Sequence, residues 1–117
     1  MTEVKWIVSD DGRHEMRITG HANSGPVGQD LVCAAVSGIT YCLAARMEML
    51  YKQHKARGVV VEMGKGNARI GAAPGSQCGC AVREAYETTF AGLCLLQEKY
   101  PECIKCDYCE VKQQCML

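Results

Sequence analysis

Apolar and polar residues alternate at the start of the chain. In residues 3–9 one side of the alternation is apolar and consists of Val4, Trp6 and Val8. Asp10-Asp11-Gly12 is a turn signal, and residues 14–19 resume an extended pattern. These features predict a β-hairpin. His14 begins its polar-rich second strand and is expected to be exposed.

The pattern changes from alternation to helical spacing at Asp30. From there to about Gln53, apolar residues recur every three or four positions, as Val32, Val36, Ile39, Leu43, Met47 and Leu50. That spacing puts them on one face of a helix. We therefore expect a long helix over 30–53 whose apolar stripe packs against a sheet.

A second strand-strand-helix sequence follows the first. Residues 59–63 and 68–72 predict a hairpin that is joined by Gly64-Lys65-Gly66-Asn67. Helical spacing then returns at Val82 and stops before Pro101, which cannot continue a helix.

The order of these elements predicts the fold class. A last short strand is expected near Cys103–Cys106, after the second helix. We expect a single domain over residues 1–117 with an α+β fold. Its small antiparallel or mixed sheet would be built from two β-β-α units, with both helices packed against it and a short terminal strand.

Charge and hydropathy restrict the partners. Thirteen basic and thirteen acidic residues cancel, so no net charge attracts the chain to nucleic acid or to a membrane surface. The N-terminal residues lack the apolar region of a signal peptide, and no run approaches the ~20 apolar residues that span a bilayer. A cytoplasmic protein with neither a membrane nor a direct nucleic-acid partner is expected.

The strongest candidate for chemistry is a histidine and a cysteine joined by a glycine-containing loop. Asp30 directly precedes an apolar helical run, as a helix N-cap does, which would place Cys33 in the first turn. Unpaired amides and the helix dipole favour a thiolate there, although an ionised Asp30 would oppose it. His21 can reach back as a proton acceptor or as an ion-pair partner.

The residues alone leave a structural alternative open. Cys33 lies in an apolar run and can be a small core residue at the start of a helix. His21 can be an exposed histidine, or one that is hydrogen-bonded to a backbone carbonyl.

The same stretch carries a resemblance to a known family. Gly20-His21-Ala22, followed by Gly28-x-Asp30-Leu31-Val32-Cys33-Ala34-Ala35-Val36-Ser37, resembles the ribosomal-processing cysteine proteases of Firmicutes and related bacteria. The likeness is densest over residues 20–37. The order of strands and helices, with Tyr100-Pro101-Glu102, extends it across nearly the whole chain.

The resemblance implies an activity, a substrate and site residues. It implies a homodimeric cysteine endopeptidase without a cofactor, which removes the N-terminal extension of large-subunit ribosomal protein twenty-seven after apolar and aromatic residues. His21 matches the family histidine, and Cys33 matches the nucleophile. Asp30 and Ser37 match supporting positions, which we interpret as a helix cap that orients the site and a hydrogen-bonding support. An ordinary cap and a small packing residue are the structural alternatives.

The loop from Gly20 to Gly28 can change conformation easily, because three of its residues are glycines. Pro26 fixes one backbone angle, so a hinge is expected at Gly20, Gly25 or Gly28. We interpret the loop as a lid that closes over a bound peptide, and an exposed flexible loop is the alternative.

The nine cysteines provide a competing signal. Cys103-x-x-Cys106-x-x-Cys109, with Cys115 and the pair Cys78 and Cys80, has spacing compatible with a zinc or iron–sulfur site. On a terminal strand, however, the side chains of Cys103 and Cys106 would point to opposite faces, and the usual paired knuckles are missing. No metal site is therefore predicted.

Three functional hypotheses remain. The first is a cysteine endopeptidase that uses Cys33 and His21. The second is a binding module for a ribosomal or RNA partner, in which the same motif only shapes a pocket. The third is a metal-binding or redox protein that uses the cysteine-rich tail.

Overall fold

The computed structural model describes residues 1–20, 29–76 and 80–111, with the backbone only at residues 29 and 30. The elements in chain order are β1 (Thr2–Ser9), β2 (His14–Thr19), α1 (Gln29–Lys52), β3 (Ala56–Gly64), β4 (Asn67–Pro74), α2 (Cys80–Lys99) and β5 (Ile104–Val111). Both predicted hairpins and both predicted helices are present, and the α+β fold class is confirmed.

The five strands form one mixed sheet in the order β3-β4-β2-β1-β5. Neighbouring strands are antiparallel except for β1 and β5, which are parallel. The last strand differs from the prediction, because it begins after Cys103 and runs for eight residues. It pairs with β1 from Thr2 to Ser9. Its residues after Cys106 are all exposed, so burial marks only the start of the strand.

The core lies between one face of the sheet and the two helices. The predicted stripe of α1 is buried, except that Ile39 is only partly buried. The other side chains of this core come from all five strands, from Cys103 and from α2, and they include Val4, Met16, Ile18, Ile70, Val82, Tyr86 and Leu93. The first helix therefore packs as the spacing predicts, and it fixes the positions of the residues at its N-terminal end.

The prediction that His14 is exposed is wrong. His14 shares the inward face of β2 with Met16 and Ile18, because alternate residues of a strand point the same way. Its ring lies near those of Trp6 and Tyr86, with centroid distances of 5.8 and 5.1 Å. The Trp6 indole N–H donates to Nδ1 of His14 over 3.1 Å, so the hydrogen bond replaces the water that burial removes.

The buried His14 makes the protein's stability depend on pH. Burial lowers the pKa of His14 below its ordinary value of 6.5, and the charge of Arg83 lowers it further, while Glu87 opposes both. Folding therefore favours the neutral ring. The contribution of His14 to the free energy of unfolding is complete above pH 6.5. It is lost as the pH falls through 6.5 and then through the lower pKa that His14 has in the folded protein.

We expect the urea concentration at the midpoint of unfolding to fall as the pH is lowered from 7.5 to 5.5. The variant His14→Phe should show a smaller slope over this range, because it has no proton to gain. The exposed His54 provides a matched control, and His54→Gln should keep the slope of the parent protein. Equal slopes in the parent protein and in His14→Phe would contradict the prediction.

One segment is more apolar than expected. The helical segment Leu31–Lys52 is long and apolar enough to cross a membrane, by length and composition alone. The expectation that no run approaches such a length is therefore wrong. The reason is that α1 is apolar on two sides. Its inner stripe is buried against the sheet. Its outer face, defined by Leu31, Tyr41, Cys42, Ala45 and Met49, is exposed.

Candidate active site

A cleft of about 500 Å³ lies at the end of the sheet where β1 begins and β2 ends. Its walls are the N-terminal half of α1, the first residue of β1, the last residues of β2 and the turn between β3 and β4. Cys33 and Ser37 both line it, one helical turn apart. Apart from the glycines, four site residues are predicted, and the structure brings two of them, Cys33 and Ser37, together in this cleft.

Cys33 lies deeper in α1 than the sequence suggested. The helix begins at Gln29, so Cys33 is its fifth residue and not part of the first turn. In the regular helical pattern its amide is paired with the carbonyl of Gln29. The side chain is half-buried, and its Sγ lies 3.4 Å from Oγ1 of Thr2.

Asp30 also differs slightly from the prediction. Because α1 begins at Gln29, Asp30 falls within the first turn and not at the N-cap position. A negative charge in the first turn is still favoured by the helix dipole. The side chain of Asp30 lies outside the described part of the structure, as do His21, Gly25 and Gly28.

Gly20, the last described residue before His21, lines the cleft. Its N–H donates to the carbonyl of Gly66 over 3.0 Å. Its φ of +130° is one that L side chains rarely adopt, and a Cβ here would lie 2.9 Å from Cα of Thr2. The glycine is therefore required by the close approach of two backbones, in addition to any role as a hinge.

Sequence reasoning missed two parts of this site. Thr2 at the start of β1 contacts Cys33, yet a threonine there carries no chemical signal. The sequence predicts Gly64-Lys65-Gly66 only as part of a hairpin turn, but the segment also forms a wall of the cleft. Lys65 is the only charged residue among the described residues of the lining. Both parts are brought to Cys33 by the sheet, over long sequence separations.

The cysteine-rich tail has a different character. Cys103 is buried just before β5, and Cys106 packs against the core, so both point inwards and the expected divergence is wrong. Burial raises the pKa of Cys106 to about 12, with a further contribution from the neighbouring Cys94. A thiol that stays protonated is a poor metal ligand.

Within the described ranges 1–20, 29–76 and 80–111, no group of three or more His, Cys, Asp or Glu side chains is placed to hold a metal ion. Cys78 and Cys115 lie outside these ranges. Among the described tail cysteines, Cys103 is buried, Cys106 is half-buried and Cys109 is exposed.

The fold is shared with solved structures. The crystal structure of an essential ribosomal processing protease Prp from S. aureus, in complex with a substrate peptide, is 22% identical with a TM-score of 0.72. The match covers 92% of this chain and 99% of that chain. SMU.848 from Streptococcus mutans is 26% identical with a TM-score of 0.66, over 97% of this chain and 96% of that chain.

The sequence comparisons identify the family. No curated protein matches the chain. The family model described as cysteine protease Prp matches residues 1–105, which include Cys33, every described wall of the cleft and the first residues of β5. The chain therefore belongs to the Prp family of cysteine proteases.

Proposed function

We propose that Cys33 is the nucleophile of this protease and that His21 is its general base and then its general acid. The observation that carries the proposal is the position of Cys33, whose half-buried thiol lines a cleft of about 500 Å³. Among the other described cysteines, Cys103 is buried, and Cys106 is held protonated by burial. Gly20, the residue bonded to His21, lines the same cleft.

The proposed reaction has two halves. His21 takes the thiol proton as Sγ of Cys33 attacks the peptide carbonyl, and the tetrahedral intermediate expels the amine, which receives that proton. A thioester joins Cys33 to the N-terminal product. His21 then takes a proton from water, whose oxygen attacks the thioester, and Cys33 leaves as its thiol. Ser37 supports the site by hydrogen bonding, and Asp30 orients it from the first turn of α1.

The proposed substrate is the N-terminal extension of large-subunit ribosomal protein twenty-seven, cut in the cytoplasm. The S. aureus relative with the same fold is a ribosomal processing protease and binds a substrate peptide. The apolar walls of the cleft, from Ile18, Val36, Tyr41 and Met63, suit the apolar and aromatic residues before the cleaved bond. The lid predicted for the loop from Gly20 to Gly28 falls on residues 21–28, which lie outside the described part of the structure.

The experiment uses the purified protein under reducing conditions with a synthetic peptide spanning that extension and the first residues of the mature protein. Mass spectrometry identifies the products, and a scrambled peptide of the same composition is the control. We expect one cut after an apolar or aromatic residue in the native peptide only. Binding without cleavage would instead support a binding module.

We also propose that two copies pair through the outer face of α1. This exposed face combines Leu31, Tyr41 and Met49 with the small residues Cys42 and Ala45. Cys42, Ala45 and Met49 are separated by three, four and seven positions. Large and small residues in that arrangement let an identical helix pack closely across a two-fold axis. The neutral net charge does not oppose such self-association.

Sedimentation velocity tests the pairing. The parent protein should sediment at twice the monomer mass at micromolar concentration, and Met49→Glu should sediment as a monomer. Leu95 on α2 is exposed to a similar extent, at 53% against 50% for Met49, so Leu95→Glu is the matched control and should stay dimeric. A monomeric parent protein would contradict the proposal.

A further inference from the structure

The hydroxyl of Thr2 lies beside the cysteine that we propose as the nucleophile. Thr2 is only 3% exposed, and its Oγ1 is 3.4 Å from Sγ of Cys33. This contact joins the first residue of β1 to the fifth residue of α1. A buried hydroxyl usually finds a hydrogen-bond partner, and the thiol is within that distance.

Thr2 is itself held from several sides. Its N–H donates to the carbonyl of Cys103 over 2.9 Å, and the residue pairs with Ile104 at the start of β5. Gly20 packs against its backbone so closely that a Cβ there would lie 2.9 Å from Cα of Thr2. A β-branched side chain also has few rotamers. The hydroxyl therefore approaches Cys33 from a fixed direction.

The chemistry of the contact depends on the charge of the sulfur. A hydroxyl can accept a hydrogen bond from a thiol and can donate one to a thiolate. Bonds to charged groups are the stronger ones, so a fixed donor favours the thiolate over the thiol. The same contact selects one of the staggered rotamers of the cysteine.

We propose that Thr2 is a positioning residue of the protease: its hydroxyl holds Sγ of Cys33 in the cleft and donates a hydrogen bond to the thiolate. The proposal rests on the proposed function of Cys33. In this role Thr2 acts through the cysteine. It also ties Cys33 to the residue before β5, because the N–H of Thr2 donates to the carbonyl of Cys103.

The test compares Thr2→Val, which keeps the shape and removes the hydroxyl, with Thr2→Ser, which keeps the hydroxyl. Any purification tag is placed at the C-terminal end, so that Thr2 keeps its native neighbours. The first measurement is the rate of iodoacetamide alkylation at Cys33 as a function of pH, followed by peptide mapping. The second is kcat/KM on the extension peptide.

For Thr2→Val we expect the pH midpoint of alkylation to rise by about one unit and kcat/KM to fall about tenfold. For Thr2→Ser we expect both values to stay within about threefold of the parent protein. Thr89 is a matched control, because its buried hydroxyl bonds to the carbonyl of Ala85 within α2. Thr89→Val should leave the midpoint unchanged.

The proposal would be overturned by a Thr2→Val variant with the midpoint of the parent protein, whether or not the variant loses thermal stability. A purely structural threonine would lower the stability and leave the midpoint unchanged. Alkylation needs no peptide, so a shifted midpoint supports the role of Thr2 even if the peptide is not cut and the proposed function fails.

Discussion

Replacing Cys33 with alanine is expected to abolish cleavage of the extension peptide while the protein keeps its fold. The variant lacks the atom that forms the thioester, so kcat/KM should fall by about 10⁴-fold or more. The cost to the fold should be small. The side chain is half-buried at the edge of a cleft, and its removal exposes the cleft and leaves no closed cavity in the core.

The measurement is peptide turnover followed by mass spectrometry, with circular dichroism as the check on folding. Cys42 provides a matched control, because it lies on the same helix nine residues later and is exposed. Cys42→Ala should cleave at the rate of the parent protein. A folded Cys33→Ala variant with normal turnover would contradict the proposed nucleophile, and attention would then move to the other exposed thiols.

The elements with a strong pattern were predictable from the sequence. The stripe of α1 consists of six apolar residues spaced three or four apart. A periodicity of that length indicates both a helix and the face of it that is buried. The hairpins were marked by glycine-containing turns between apolar strands. The errors arose where packing, and not local pattern, determines the environment. His14 is a polar residue on an inward position of β2, and its burial depends on a partner, Trp6, from another strand.

The candidate site was only partly predictable for a related reason. Cys33 could be selected because a histidine, a cysteine and glycines stand close together in sequence and resemble a family motif. Thr2 is thirty-one residues from Cys33 and reaches it only when β1 enters the sheet. The Gly64–Asn67 turn joins the cleft in the same way, through the pairing of β4 with β2. Contacts of this kind follow from the strand topology, which local patterns in the sequence do not reveal.

The same topology explains why Gly20 should be sensitive to substitution. Three backbone segments meet there, namely the start of β1, the end of β2 and the turn at Gly66. All three line the cleft. Any shift of this junction therefore moves Thr2, and with it the side chain that contacts Cys33. Stability and activity should consequently change together at this position.

We expect Gly20→Ala to lower the free energy of unfolding by about 2–3 kcal/mol, because of a strained φ and a collision with backbone atoms. The φ of +130° is unfavourable for alanine, and the added Cβ meets Met1 and Thr2. Backbone atoms cannot rotate away as the end of a side chain can. The strand must move instead, and we expect kcat/KM to fall at least about tenfold as Thr2 leaves Cys33.

Urea unfolding and peptide turnover measure the two effects, with Gly38→Ala as the matched control. Gly38 lies inside α1, and a Cβ at that position would have no heavy atom within 4 Å. Alanine is favoured over glycine in a helix, so the control should be unchanged or more stable by up to about 1 kcal/mol. If Gly20→Ala were as stable as Gly38→Ala, a Cβ at position 20 would fit without a collision with the backbone of Met1 and Thr2. The close approach that holds Thr2 against Cys33 would then not be the reason for a glycine there.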